Sequence, residues 1–92
     1  MKKITMFMFA SCPHCKLALK CIDELKAAHP EYAAVPFEMI DERKQPDVAE
    51  KYDYYYVPSV YCGDEKLYEC SPTEDYDAIK RQLERALKTA AE

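Results

Sequence analysis

At 92 residues the chain has room for one domain built on a single core of two or three layers. A formal charge of −4 leaves no basic footprint, which argues against nucleic acid or an anionic membrane as a partner. Five cysteines, an odd number, with no cationic-then-apolar leader of adequate length after Met1, favour redox chemistry over a secreted disulfide framework. No apolar run spans a bilayer, so a cytoplasmic monomer is expected.

Lys2 to Phe9 alternates too little for a half-exposed strand and suits one buried on both faces, as in the middle of a parallel sheet. The stretch Ala10-Ser11-Cys12-Pro13-His14-Cys15-Lys16 follows it and opens a helical pattern running to about Ala28. That pattern places Cys15, Ala18, Ile22 and Leu25 on one face with Cys21 at its edge, and His29-Pro30 stops it. Val35 to Ile40 reads as a second strand, which completes a right-handed βαβ unit. After a polar loop, Pro46 starts a short helix through about Tyr52. Val57 to Cys62 reads as a third strand, Gly63-Asp64 as a hairpin turn, and Lys66 to Glu69 as a short edge strand. Ser71-Pro72-Thr73-Glu74 reads as a capping box with proline at the first helical position. It opens a last helix whose buried face is Tyr76, Ile79, Leu83 and Leu87. The expected class is α/β in the order βαβαββα, a four-stranded mixed sheet with helices on both faces, as one domain over residues 1–92.

The chemistry concentrates at the strand-to-helix junction. Residues i and i+3 of a helix have Cβ atoms roughly 5–6 Å apart, a little beyond what a disulfide prefers, so small adjustments open and close a Cys12–Cys15 bond. The first N–H groups of a helix lack intrahelical partners and the macrodipole adds positive charge there. Protonated His14 and Lys16 add more, and Pro13 fits the first turn without cost. These terms favour a thiolate at Cys12, which becomes the expected nucleophile. Cys15, one turn in and facing the core, becomes the resolving thiol. Three other readings stand beside this one. Cys62 and Cys70 could complete a four-cysteine zinc site, although their seven-residue separation is unusual for one. A purely structural bridge over three residues would stabilise little, and the pair could be inert.

With Cys12-Pro13-His14-Cys15 after the first strand and Val57-Pro58 before the third, the chain resembles the thioredoxin superfamily, and its length resembles the minimal glutaredoxin-type form. The resemblance covers nearly the whole chain. It implies a thiol–disulfide oxidoreductase acting on protein disulfides, with no cofactor and no metal. It further implies that Pro58 is cis against the cysteine pair, which frees the Val57 backbone to pair with an extended substrate segment, with Tyr56 beside it. A Pro13-His14 dipeptide is the one found in strongly oxidising bacterial members of the superfamily.

Glutathione-using members carry a lysine three residues before the first cysteine and a glycine pair after the last strand, where this chain has Phe9 and Glu69-Cys70. A glutathione carboxylate would thus lose a cation, acidic Glu69 would repel the tripeptide, and side chains would obstruct the close approach that glycines permit. Met6 does not match the buried acid that thioredoxins hold beneath their cysteines. A thioredoxin-reductase-type electron donor is therefore expected and glutathione is disfavoured. The alternatives are a glutathione-dependent glutaredoxin and a redox-sensing or metal-binding cysteine module. Tyr52, Tyr54, Tyr55 and Tyr56 fit equally an aromatic rim around the disulfide or a division between core and surface. Cys70 reads as a small residue in a tight loop rather than a third redox thiol, and Cys21 and Cys62 as buried small residues.

Overall fold

In the computed structural model, which describes residues 2–92, the strand β1 covers Ile4–Met8 and has a neighbour on each side. It pairs in parallel with β2, Phe37–Asp41, and antiparallel with β3, Ser59–Cys62. The edge strand β4, Glu65–Glu69, pairs antiparallel with β3. The order is β2-β1-β3-β4, a mixed sheet of four strands among the described residues. Ile4, Thr5, Met6 and Phe7 are all buried, which is why this stretch lacks the alternation of a strand with one wet face.

Two helices of sixteen residues, α1 at Pro13–Ala28 and α4 at Tyr76–Ala91, lie together on one face of the sheet. Ile4, Met6, Val60 and Tyr68 point from the strands toward Ala18, Ile22, Ile79, Leu83 and Leu87. Cys21, expected at the edge of the apolar stripe, is fully buried between the two helices, with its Sγ 3.9 Å from the Tyr76 carbonyl. Each fully buried aliphatic side chain here contributes about 1.5–3 kcal/mol of transfer free energy. The other face carries a smaller cluster of Phe7, Ile40 and Tyr61, covered by Tyr52, Tyr54, Val57 and a short helix. The Phe7 ring meets Tyr52 at 4.6 Å, Tyr54 at 5.0 Å and Tyr61 at 5.7 Å between centroids.

The second and third strands begin two residues later than expected, at Phe37 and Ser59, and three helix boundaries differ as well. Pro30 ends α1 but also starts a further turn, Pro30–Ala33, in which Tyr32 is buried against the core. Counting it as α2, the short helix that covers Phe7 is α3, Pro46–Ala49, which stops before Tyr52. The capping box also fails to open a helix. Asp75 caps α4, its Oδ1 accepting the Ala78 N–H at 2.9 Å. Ser71 and Glu74 do make the backward bond of a box, from Ser71 N–H to Glu74 Oε1 at 2.8 Å. They make it around a turn, because Glu74 Oε2 is held by the Tyr68 hydroxyl of β4 at 3.0 Å. At the hairpin, Gly63 adopts φ 62°, a conformation that residues with a Cβ seldom take.

Candidate active site

The chain leaves β1, turns through Phe9 to Ser11, and enters α1 with Cys12 as its N-cap. The Cys12 N–H donates to the Phe9 carbonyl at 3.2 Å, which closes the turn, and the Lys16 N–H donates to the Cys12 carbonyl at 3.1 Å. At the cap, Cys12 Sγ occupies the place of a serine or aspartate oxygen and accepts the Cys15 N–H at 3.4 Å. Sulfur gains most from such a donor when it carries negative charge. Pro13 fills the first helical position, where an N–H would have no partner.

The two thiols are both free and differ in surroundings. Cys12 is 6% exposed and opens on a cleft of about 240 Å³, and Cys15 is 1% exposed on the core side of the helix. Burial pushes the Cys15 thiol up to about 12, and the neighbouring Cys12 and Cys70 sulfurs add to the shift. Cys15 therefore holds its proton through the neutral range.

Opposite Cys12 stands the backbone of Val57, whose carbonyl lies 3.9 Å from Sγ, and the Val57–Pro58 peptide is cis. Register explains this meeting across 45 residues of sequence. Phe7 pairs with Ser59, so the segment before β3 is laid beside the segment after β1. His14, Tyr55 and Tyr56 also line the cleft, with Phe9, Glu42, Cys70 and Pro72 completing it. Three hollows are larger: two, of about 570 and 530 Å³, sit toward the opposite end of the sheet among lysines and acids, and one of about 350 Å³ lies beside Arg43, Tyr54 and Tyr55. Size does not single out the cleft; the Cys12 thiol that lines it makes it the candidate.

The tyrosines divide. Tyr52 and Tyr54 pack on Phe7, and the Tyr54 hydroxyl donates to Glu42 Oε1 at 2.8 Å. Tyr55, 90% exposed, and Tyr56, 52% exposed, form the rim of the cleft. Cys70 is buried, with its N–H donating to the Pro58 carbonyl at 3.0 Å, and burial pushes its thiol up despite a helpful contact from Tyr68. Cys62 pairs with Ile4 at the far end of β1 from Cys12, so the four cysteines of a zinc site are not brought together. Among the described residues no three His, Cys, Asp or Glu side chains converge on a metal position.

Two side chains take placements at the candidate site that the sequence did not signal. The Arg43 guanidinium lies 4.1 Å above the Phe9 ring and 3.5 Å from Ser11 Oγ, so it returns a cation to the lip where Phe9 provides none. Glu69, expected to present a free charge, turns its carboxylate onto the backbone of Tyr55 and Tyr56. Neither placement follows from local spacing, since each depends on which loops the sheet sets side by side.

No family model matches the chain. A thioredoxin of Methanocaldococcus jannaschii is 30% identical over 83 residues, an alignment spanning 88% of this chain and 95% of that protein. Among solved structures, thioredoxin 1 of Thermosipho africanus superposes with a TM-score of 0.61 at 20% identity, covering 98% of this chain and 99% of that one. The thioredoxin of Malassezia sympodialis superposes with a TM-score of 0.65 at 16% identity, covering 99% of this chain and 80% of that one. At those identities the two structures speak for the fold.

Proposed function

Because the chain belongs to the thioredoxin superfamily, a thiol–disulfide oxidoreductase family, we propose that it exchanges electrons with protein disulfides through a Cys12–Cys15 dithiol. The observation that carries the reading is the asymmetry of the pair: one sulfur caps a helix at an open cleft, and the other is buried one turn behind it. The Cys12 thiolate attacks one sulfur of a substrate disulfide, forming a mixed disulfide and releasing the other sulfur as a thiolate. Cys15 then gives up its proton and attacks Cys12 Sγ. That closes Cys12–Cys15 and expels the second substrate thiolate, so two electrons pass from the dithiol to the substrate. His14 favours the thiolate at Cys12, and Pro13 sets the helix start. Pro58 and the Val57 backbone receive an extended substrate segment, with Tyr56 against its side chains. In this reading the chain works as a single-domain cytoplasmic monomer that needs no cofactor of its own; among the described residues no helix is long and apolar enough to cross a membrane.

A thioredoxin-reductase-type enzyme is the electron donor in this proposal. The geometry removes two of the grounds for disfavouring glutathione, since Arg43 stands over Phe9 and Glu69 is not a free charge. What still supports a protein donor is the exposed Tyr55–Tyr56 rim, which offers apolar area to a polypeptide surface, and the buried side chain of Cys70 where a glycine would let glutathione approach. The experiment is turnover of a protein disulfide with each donor in parallel. Reduction by a thioredoxin reductase, far faster than by millimolar glutathione with its own reductase, is the expected result. Saturable turnover with glutathione and none with any thioredoxin reductase would place the chain with the glutaredoxins instead.

A further inference from the structure

Glu69 closes the edge strand β4, where a solvated carboxylate is the ordinary expectation. Its side chain is instead 20% exposed and fully engaged. Oε2 accepts the N–H groups of Tyr55 and Tyr56, each at 2.8 Å, and Oε1 accepts Lys66 Nζ at 2.7 Å. Lys66 Nζ donates in addition to the Asp53 carbonyl at 3.1 Å, so the same pair of side chains reaches both ends of the Asp53–Tyr56 stretch. Burial works against the Glu69 charge, but Lys66 and the Tyr56 and Tyr55 N–H groups outweigh it and hold the carboxyl below its ordinary range.

The stretch held in this way lies outside any helix or strand, so its N–H groups have no ladder to join. It leads directly into the cleft. Tyr55, Tyr56 and Val57 line the cleft, and the Val57 carbonyl faces Cys12 Sγ. The Ser59 hydroxyl fixes the next link by donating to the Tyr56 carbonyl at 2.5 Å. Without the carboxylate, the Tyr55 and Tyr56 amides would be left to water. The stretch would be held at the Asp53 carbonyl, which accepts the Tyr61 hydroxyl at 2.6 Å and Lys66 Nζ at 3.1 Å, and by the Ser59 hydroxyl on the other side, with nothing gripping the two amides between.

We propose that Glu69 is a positioning residue for substrate docking, its carboxylate holding the Tyr55–Val57 backbone as a pre-formed edge beside Cys12. The inference rests on the disulfide-exchange reading and deepens it. Glu69 touches neither thiol and acts only through the backbone it holds, so its removal weakens docking without changing Cys12. A loop that spends a tenth of its time in the docking conformation binds about tenfold more weakly, and that is the size of effect expected.

The test compares wild type with Glu69→Ala and Glu69→Gln, the second keeping an acceptor oxygen while losing the charge. Amide hydrogen exchange at Tyr55 and Tyr56 reads the clamp, and insulin reduction reads its consequence. In Glu69→Ala, exchange at these two amides should accelerate while β1 amides stay protected. KM for insulin should rise about tenfold with kcat within about twofold, and alkylation of Cys12 by iodoacetamide should stay within about twofold. Glu69→Gln should fall between, and it alone decides the matter if Glu69→Ala does not fold. Unchanged exchange at Tyr55 and Tyr56 overturns the proposal, as does faster exchange with an unchanged KM. Loss of protection across β1 together with loss of kcat would also overturn it, by making Glu69 a general stabiliser. Wild-type protein that reduces no insulin with dithiothreitol would refute the exchange reading itself, and the positioning role with it.

Discussion

Cys12 and Cys15 are one helical turn apart, and their surroundings give them different chemistry. Cys12 Sγ receives a helix N–H and borders the cleft, so substitution by serine should abolish disulfide reduction. Cys15→Ser should leave the first attack intact and accumulate mixed disulfides through Cys12, identified by mass spectrometry of the trapped peptide. A trap through Cys15 in the Cys12→Ser protein would reverse the assignment. In the proposed exchange, the buried Cys15 thiol, pushed up to about 12, sets a pH dependence for the second step. Below that value its thiolate fraction grows about tenfold per pH unit, so release of the reduced product in a single turnover should climb steadily from pH 6 to pH 8. A plateau within that range would show that some other group takes the proton first. His14 lines the cleft beside Cys12 and should stabilise the reduced form. His14→Ala should lower the reduction potential by about 30 mV, the equivalent of about 1.4 kcal/mol for a two-electron couple. An unchanged potential in a glutathione redox titration would remove His14 from the mechanism.

At the level of elements, the site depends on β1 and on the start of α1, because these deliver Cys12 to the cleft. Phe7 is fully buried at the centre of the aromatic cluster with Tyr52, Tyr54 and Tyr61. Phe7→Ala should destabilise the fold by about 3–5 kcal/mol, measured as a fall in the denaturation midpoint. A loss under 1 kcal/mol would mean that the second face closes over the gap. These two elements were legible in the sequence for a physical reason: an uninterrupted apolar run and a sixteen-residue amphipathic period each sum many small preferences in one direction. The short pieces were not legible in the same way. The four residues of α2 carry no period, and Ser71-Pro72-Thr73-Glu74 satisfied the local pattern of a helix start while Glu74 was committed to Tyr68 across the turn. Asp75, one residue on, supplied the cap instead.

Over the whole molecule, two motifs read separately in the sequence become one site through strand pairing. Cys12-Pro13-His14-Cys15 and Val57-Pro58 meet because β1 and β3 are antiparallel neighbours with Phe7 opposite Ser59. The family resemblance carried that meeting, whereas Arg43 over Phe9 and Glu69 under Tyr55 and Tyr56 had no counterpart in any spacing. Both arise from side chains reaching between loops, which a linear pattern does not encode. The same topology separates Cys62 from the cleft and buries Cys21 between α1 and α4, leaving Cys70 as the one other thiol along the cleft. Which sulfurs change state in turnover therefore separates a Cys12–Cys15 dithiol from any other use of the five cysteines. Fully reduced protein should be mixed with an excess of a protein disulfide, quenched with acid, alkylated and mapped by mass spectrometry. A loss of two hydrogens confined to a Cys12–Cys15 crosslink is the expected result, with Cys21, Cys62 and Cys70 still carrying the alkyl label. Protein that keeps the label on Cys12 and Cys15, or that forms its crosslink through Cys70, would contradict it.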